Sequence, residues 1–325
     1  MKLKKILSAA AALTLTAVLS LSLSGCGEGK AKYTIGICQL TQHDALDEAT
    51  KGFIDAVEKE LGKENVKIDN QNAGGDSNTC ATIVNQFVSN NVDLIMANAT
   101  AALSAASTAT GDIPIVATSV TDYATALDIK DWTGKTGTNV TGTSDLAPLA
   151  DQAKMFKELL PNAKKIGIVY CSSEANSKYQ AVEVTKTFKD LGLEVKEYTF
   201  SDSNDISAVI TKACDDSDAL YLPTDNQIAS NKTLVYSTLE GKNVPVIAGE
   251  EGICEGCGIA TLSIDYYTIG YKAGEMAAEI LRDGKNPGDM EIITSDKLTK
   301  KYVKSRCDAF KITVPSDYTE LPVKE

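Results

Sequence analysis

From Tyr33 onward, short apolar runs rich in β-branched residues alternate with longer stretches whose apolar positions recur at helical spacing. This alternation is the pattern of βαβ units around a parallel sheet. The runs predict strands near 33–38, 66–70, 92–97 and 113–118, with helices near 45–61, 77–90 and 100–110 between them. After Pro161 the pattern begins again, with strands near 165–170, 193–199, 218–222 and 244–248 and helices near 175–191, 205–214 and 226–239. The two series share residues as well as period. Ile35-Gly36-Ile37 returns as Ile166-Gly167-Ile168, and Ile113-Pro114-Ile115-Val116-Ala117 returns as Val244-Pro245-Val246-Ile247-Ala248, both at an offset of 131. One offset found twice, in the same order, predicts an α/β protein of two similar Rossmann-like lobes, each built on a parallel sheet.

A further apolar run, Gly258 to Ile264, leads through Asp265-Tyr266-Tyr267 into a helical stretch carrying Ile269, Ala273, Met276, Ala277 and Ile280 and stopped by Gly284 and Pro287. A chain that has finished its second lobe and still holds a full helix is expected to return to the first. The expected division is 33–144 plus 265–288 for the N-terminal lobe and 145–264 plus 289–325 for the C-terminal lobe, with several crossings forming a hinge.

The segment before Tyr33 is of a different kind. Lys2, Lys4 and Lys5 precede an 18-residue apolar run from Ile6 to Leu23, the order of a secretory signal, and too diluted by Ser and Thr for a permanent membrane span. Its end, Leu23-Ser24-Gly25-Cys26, resembles the lipobox of bacterial lipoproteins, in which the cysteine is lipidated and becomes the mature N-terminus. Residues 1–25 therefore read as signal, and 26–32 as a lipidated Cys26 and a short tether to the outer face of the cell membrane.

Composition narrows the chemistry. Among 325 residues, 44 acids against 32 basic residues give a formal charge of −12, which repels a phosphate backbone and excludes nucleic acid as a partner. Arg282 and Arg306 are the only arginines, so a site built on guanidinium forks is excluded too. His43 is the only histidine and Trp132 the only tryptophan. Any histidine-dependent catalysis would have to use His43, and no nucleophile elbow accompanies it. No metal framework is visible, since Cys254-x-x-Cys257 lacks a second pair, and its glycine-rich surroundings, Gly252 to Gly258, read as a loop. Apart from Cys26 there are seven cysteines, an odd number whose pairing spacing does not settle. No cofactor is implied, and a monomer is expected.

Ligands of doubly wound sheets sit beyond the carboxyl ends of the strands. In the first lobe those positions hold Gln39, Thr41 and His43, then Asn98 to Ala101 with Thr100, then Ser119 to Asp122 with Thr121. In the second they hold Ser172 to Ser177, Asp225, Asn226, Glu250 and Glu251. Nearly all are hydroxyl, amide or carboxylate groups, which predicts a polar pocket of neutral donors and a few acids in a cleft between lobes.

The stretches Gln39 to Phe53, Thr118 to Asp122, Asn139 to Asp145, SSEANS at 172–177, PTDN at 223–226 and IDYYTIG at 264–270 together resemble the substrate-binding lipoproteins of bacterial ABC importers, in the type I periplasmic-binding-protein branch that includes tryptophan- and tyrosine-binding members. The resemblance implies two lobes joined by a multi-strand hinge that close on an amino acid, aromatic ones being the best-attested ligands, and a permease with its ATPase as partners. A zwitterion needs donors for its carboxylate and acceptors for its ammonium. Ser172 and Ser173, at the start of a helix, are expected to hold the carboxylate with Glu174 and Asn176 close by. Asp265, with Asp225 as a second acid, is expected to hold the ammonium. Gln39, Thr41, Thr100, Ala101, Ser119 and Thr121 would form walls and rim, Asn226 would lie beside Asp225, and Asp145 would line the cleft or cap a helix. Tyrosines 123, 170, 221, 266 and 267 suit stacking on an aromatic ring. A sugar-binding member of the same fold is the nearest alternative, and an extracytoplasmic hydrolase or isomerase a more distant one.

Overall fold

The computed structural model describes residues 31–295 and 297–323. The signal-like segment and Cys26 lie outside them.

The first lobe opens with β1 (Tyr33–Gln39), buried almost throughout, as a central strand covered on both faces must be. Helix α1 (Asp44–Leu61) buries Leu46, Ala49, Phe53, Ala56 and Val57, one stripe at helical spacing. Then follow β2 (Val66–Asn72), α2 (Ser77–Ser89), β3 (Leu94–Asn98), α3 (Thr100–Ala109), β4 (Ile115–Val120), the short α4 (Tyr123–Ala126) and β5 (Val140–Ser144). The chain crosses to the second lobe through α5 (Leu149–Leu159) and repeats itself: β6 (Lys165–Cys171), α6 (Ala175–Asp190), β7 (Glu194–Phe200), α7 (Ile206–Asp216), β8 (Ala219–Leu222), α8 (Asn226–Ser230), α9 (Lys232–Leu239), β9 (Val246–Ala248), α10 (Glu251–Cys257) and β10 (Ala260–Ser263).

The strands run β2-β1-β3-β4-β5 in one sheet and β7-β6-β8-β9-β10 in the other. The two orders are the same, all these pairs are parallel, and β1 and β6 hold equivalent places, as the 131-residue offset predicts. The partly exposed strands β2 and β7 lie beside β1 and β6 at the outer side of each sheet and carry most of the charged residues of these ten strands. Where one helix is expected over 226–239, the structure has two, because Asn231 leaves the helical region at φ −110° and ψ 23°.

After β10 the chain returns to the first lobe as α11 (Tyr266–Asp283), capped by Asp265 and ended by Gly284 at φ +69°. It lies unusually close to α1. A Cβ on Gly270 would stand 2.0 Å from the Ala49 carbonyl oxygen, and one on Gly52 2.2 Å from that of Tyr267. Strand β11 (Ile293–Thr294) then pairs with β5 in the first sheet, so the last crossing follows Thr294 rather than residue 288. Strand β12 (Thr299–Tyr302) joins the second sheet antiparallel to β10, followed by α12 (Lys304–Ala309) and β13 (Thr319–Glu320). Three crossings therefore connect the lobes.

The stretch 252–257, expected as a loop, is helical. Glu250 accepts from the N–H groups of Gly252 and Ile253 at one end of α10. At the other, Arg306 donates to four carbonyls, of Cys254, Glu255, Gly256 and Gly258, at 2.7–2.9 Å. The seven cysteines in the described residues are all buried free thiols.

Candidate functional site

The carboxyl edge of the first sheet collects polar groups that the protein itself does not satisfy. Asn98 at the end of β3 is fully buried, and its amide nitrogen donates to Leu46 O at 2.8 Å and Thr50 Oγ1 at 2.9 Å, but its Oδ1 has no partner. The buried hydroxyls of Thr100 and Ser119 have none either. Such orphans are uncommon in folded proteins, because each costs about 1–3 kcal/mol. All three meet strained backbone: Ala99, between Asn98 and Thr100, has φ +94° and Ser119 itself φ +55°, in a region that favours glycine. The register of β4 against β5 slips between Ala117 and Val120, turning the chain at Ser119. Strain and unpaired polar groups held together at one sheet edge make it the candidate site.

Helix α3 starts at the same place. Its cap, Ala99, makes no side-chain bond, which leaves the positive end of a ten-residue helix beside the Thr100 hydroxyl.

Asp145 follows β5 at the first crossing and is 5% exposed. Thr121 Oγ1 donates to one carboxylate oxygen at 3.1 Å and the Tyr266 hydroxyl to the other at 3.0 Å. Among the described residues no basic side chain pairs with it, and burial pushes its carboxyl up to about 6, partly offset by those two bonds. A buried acid left without a cation is a ready acceptor for a ligand's positive group. Gln39 and Thr41 are buried nearby, with Gln39 already bonded to Thr41 O, Asp47 and Thr50. Ala101 lies half-buried in the first turn of α3.

The second lobe's edge is different, because its polar groups are occupied by one another. Glu174 accepts from Asn226 N at 3.1 Å, Asn226 Nδ2 at 2.7 Å, Gln227 N at 2.9 Å and Asn176 Nδ2 at 3.0 Å. Buried Asp225 accepts from Cys171 N at 2.7 Å and Ile228 N at 2.9 Å, and burial, reinforced by Glu174, raises its carboxyl to about 7.

Several of the residues expected from sequence lie apart from the first-sheet edge. Ser172 and Ser173 are exposed, with the Ser172 hydroxyl donating to Phe200 O and that of Ser173 beside Cys171 Sγ, so neither meets the other polar groups of the cleft. Asp265 is exposed, caps α11 through Thr268 N at 2.9 Å, and lines an open groove of about 2040 Å³ to which none of the first-lobe strand ends contributes. For Asp265 the signal was that of a helix start, which its cap explains without a ligand; the two serines lie before the Glu174 cap position and cap nothing. Among the tyrosines, Tyr221 packs edge-on with Phe156 and Phe188, and Tyr123 donates to Ala117 O and Thr143 O, so these serve the core. Tyr266 belongs to the site through Asp145, a partnership 121 residues apart that no local pattern reveals.

The lobes meet across the cleft. His43, preceding α1, lies 3.1 Å from Asn226 Oδ1, and Asp44 pairs with Lys232. Two Rossmann-like lobes joined by three crossings, with unpaired polar groups at the strand ends of the first, have the architecture of a protein that takes a small solute between its lobes. The chain belongs to the ABC transporter substrate binding protein family, whose pattern it matches over residues 34–322. It is 42% identical over 272 residues, 83% of this chain and 78% of the relative, to the tyrosine-binding protein of Clostridioides difficile. The fold is that of type I periplasmic-binding proteins. A Streptococcus pneumoniae domain in complex with L-Trp superposes with a TM-score of 0.84 at 33% identity, covering 88% of this chain and 97% of that one. A ligand-free, open substrate binding protein with adhesive properties from Clostridium difficile gives 0.69 at 38% identity, covering 90% and 100%. The chain thus lies nearer in shape to the ligand-bound protein although nearer in sequence to the open one.

Proposed function

We propose that this protein is the solute receptor of an ABC importer, anchored at the outer face of the cell membrane through a lipid on Cys26, which closes on an amino acid and delivers it to a permease and its ATPase. The observation that carries this reading is the row of unsatisfied groups along the first sheet: Asn98 Oδ1, Thr100 Oγ1 and Ser119 Oγ beside the cation-free Asp145. Its two ends are of opposite character. The start of α3 with the hydroxyls of Thr100 and Ser119 offers donors to an α-carboxylate, and Asp145 offers charge to an α-ammonium. This replaces Ser172, Ser173 and Asp265 in those roles. A carboxylate held by hydroxyls and backbone N–H groups is consistent with the distance of both arginines, which bond Asp283, Glu60 and the α10 carbonyls instead.

The named ligands of the tyrosine-binding relative and the Trp-bound neighbour favour an aromatic side chain. The reading is of binding without turnover.

The test is to purify the chain from residue 27, denature it and identify released solute by mass spectrometry, then measure thermal stabilisation against amino acids and sugars. Stabilisation by tyrosine, tryptophan or phenylalanine that grows with concentration is expected. Stabilisation by sugars and by no amino acid would overturn the reading, and chemical change of the bound solute would restore an enzyme.

A further inference from the structure

The only histidine of the chain is left unused by the ligand site, yet it stands where the two lobes touch. Asn226 presents its Nδ2 to the Glu174 carboxylate, which can only accept, so its Oδ1 is the atom that faces His43. The imidazole must therefore carry its hydrogen on Nε2 and donate it across the cleft. Burial lowers the imidazole's affinity for a proton, against the opposing pull of Asp44 and Asp47 on its own helix and with Lys232 facing it from the other lobe, and a neutral ring suffices for this bond. Glu174 also fixes Gln227 N, so the acceptor is mounted on a braced turn rather than a free side chain.

We infer that His43 is a closure-positioning residue: its Nε2–H bond to Asn226 exists only when the lobes are together, and it lengthens the stay of the bound solute without touching it. The inference rests on the reading of an amino-acid receptor that closes by hinge motion. Opening must break this bond and the adjacent Asp44–Lys232 pair, whereas a solute entering the open cleft meets neither. The effect belongs to dissociation and not to association.

Stopped-flow binding of L-tyrosine and L-tryptophan to the wild type, His43→Ala and His43→Gln tests it, Gln supplying an N–H at the reach of Nε2. His43→Ala should speed release about five-fold, the worth of one hydrogen bond, with the association rate and the ligand-free unfolding midpoint unchanged. His43→Gln should recover most of the loss. Equal release rates in all three proteins, or a Gln variant as fast as Ala, would overturn the inference. If the wild type binds neither amino acid, the amino-acid reading fails by itself. The clasp is then read from release of the solute that mass spectrometry identifies in the denatured wild type: faster release from Ala than from wild type and Gln supports it, and three equal rates overturn it.

Discussion

Asp145 and Tyr266 stand at different crossings between the lobes, yet the Tyr266 hydroxyl donates to the Asp145 carboxylate at 3.0 Å. The contact ties two of the three connecting segments together at the point assigned to the ligand's ammonium. Anything that changes the charge of Asp145 is therefore felt at the hinge.

The first prediction concerns that charge. With its carboxyl raised to about 6 by burial, Asp145 binds a proton more tightly in the folded, ligand-free protein than in the unfolded chain. The resulting stability is full below the unfolded value of about 4 and is lost as pH rises through about 6. Asp225 and Glu250, each raised to about 7 by burial, act in the same sense. Ligand-free protein should melt higher at pH 5 than at pH 8, and Asp145→Asn should melt higher than wild type at pH 8, by up to ~3 kcal/mol. Calorimetric titration should show the opposite for function: Asp145→Asn weakens amino-acid binding at least about 30-fold, and wild-type affinity falls below pH 6.

Two threonines separate ligand contact from structure. The Thr100 hydroxyl is buried without a partner, so Thr100→Val should leave ligand-free stability unchanged or higher while lowering affinity by roughly five- to thirty-fold. The Thr143 hydroxyl bonds Thr118 Oγ1 at 2.9 Å and Ile269 O at 3.2 Å, so Thr143→Val should cost about 1 kcal/mol of stability by chemical denaturation. A loss of ligand-free stability in Thr100→Val would remove it from the carboxylate role.

The approach of α11 to α1 sets a third expectation. Gly270→Ala places a methyl 2.0 Å from the Ala49 carbonyl oxygen, and the helices must separate. A loss of about 3 kcal/mol in urea unfolding is expected, since overpacking of this severity has no flexible side chain to yield. A neutral substitution would show that the two helices can part freely.

Arg306 offers a fourth. Its planar fork reaches four carbonyls at the end of α10, a geometry a single ammonium cannot copy. Arg306→Lys should therefore destabilise the protein by about 2 kcal/mol and leave solute affinity within two-fold, as read by thermal unfolding and calorimetry. A variant as stable as wild type would show that the α10 carbonyls find water equally well.

The two-lobed fold was legible because duplication wrote each signal twice: strands at Ile35 and Ile166 and at Ile115 and Val246 occupy equivalent places in sheets of the same order. The first-lobe polar positions were legible too, since strand ends are a geometric rule of such sheets. What the sequence could not separate is a helix cap from a ligand contact. Asp265 and Asp145 are both acids after a strand, and only the fold turns one to solvent and buries the other. The glycines of Glu251 to Cys257 argue for a loop locally, but Arg306, fifty residues away in sequence, closes the helix. Long-range partners decide these cases, and a local pattern carries no record of them.

The return of α11 and the tail also orders how the molecule is made. A nascent chain that has reached Ile264 already holds the inner strands of both sheets. It lacks the face of the first core, where Ala273, Met276 and Ile280 pack on Ile35, Phe53 and Met96, and the part of the second supplied by Val303, Cys307, Tyr318 and Leu321. Neither lobe has its whole core until the residues from Tyr266 to Leu321 are in place. Each half thus depends on a segment that follows the inner strands of both sheets in the sequence, and the two complete their cores with the same stretch of chain.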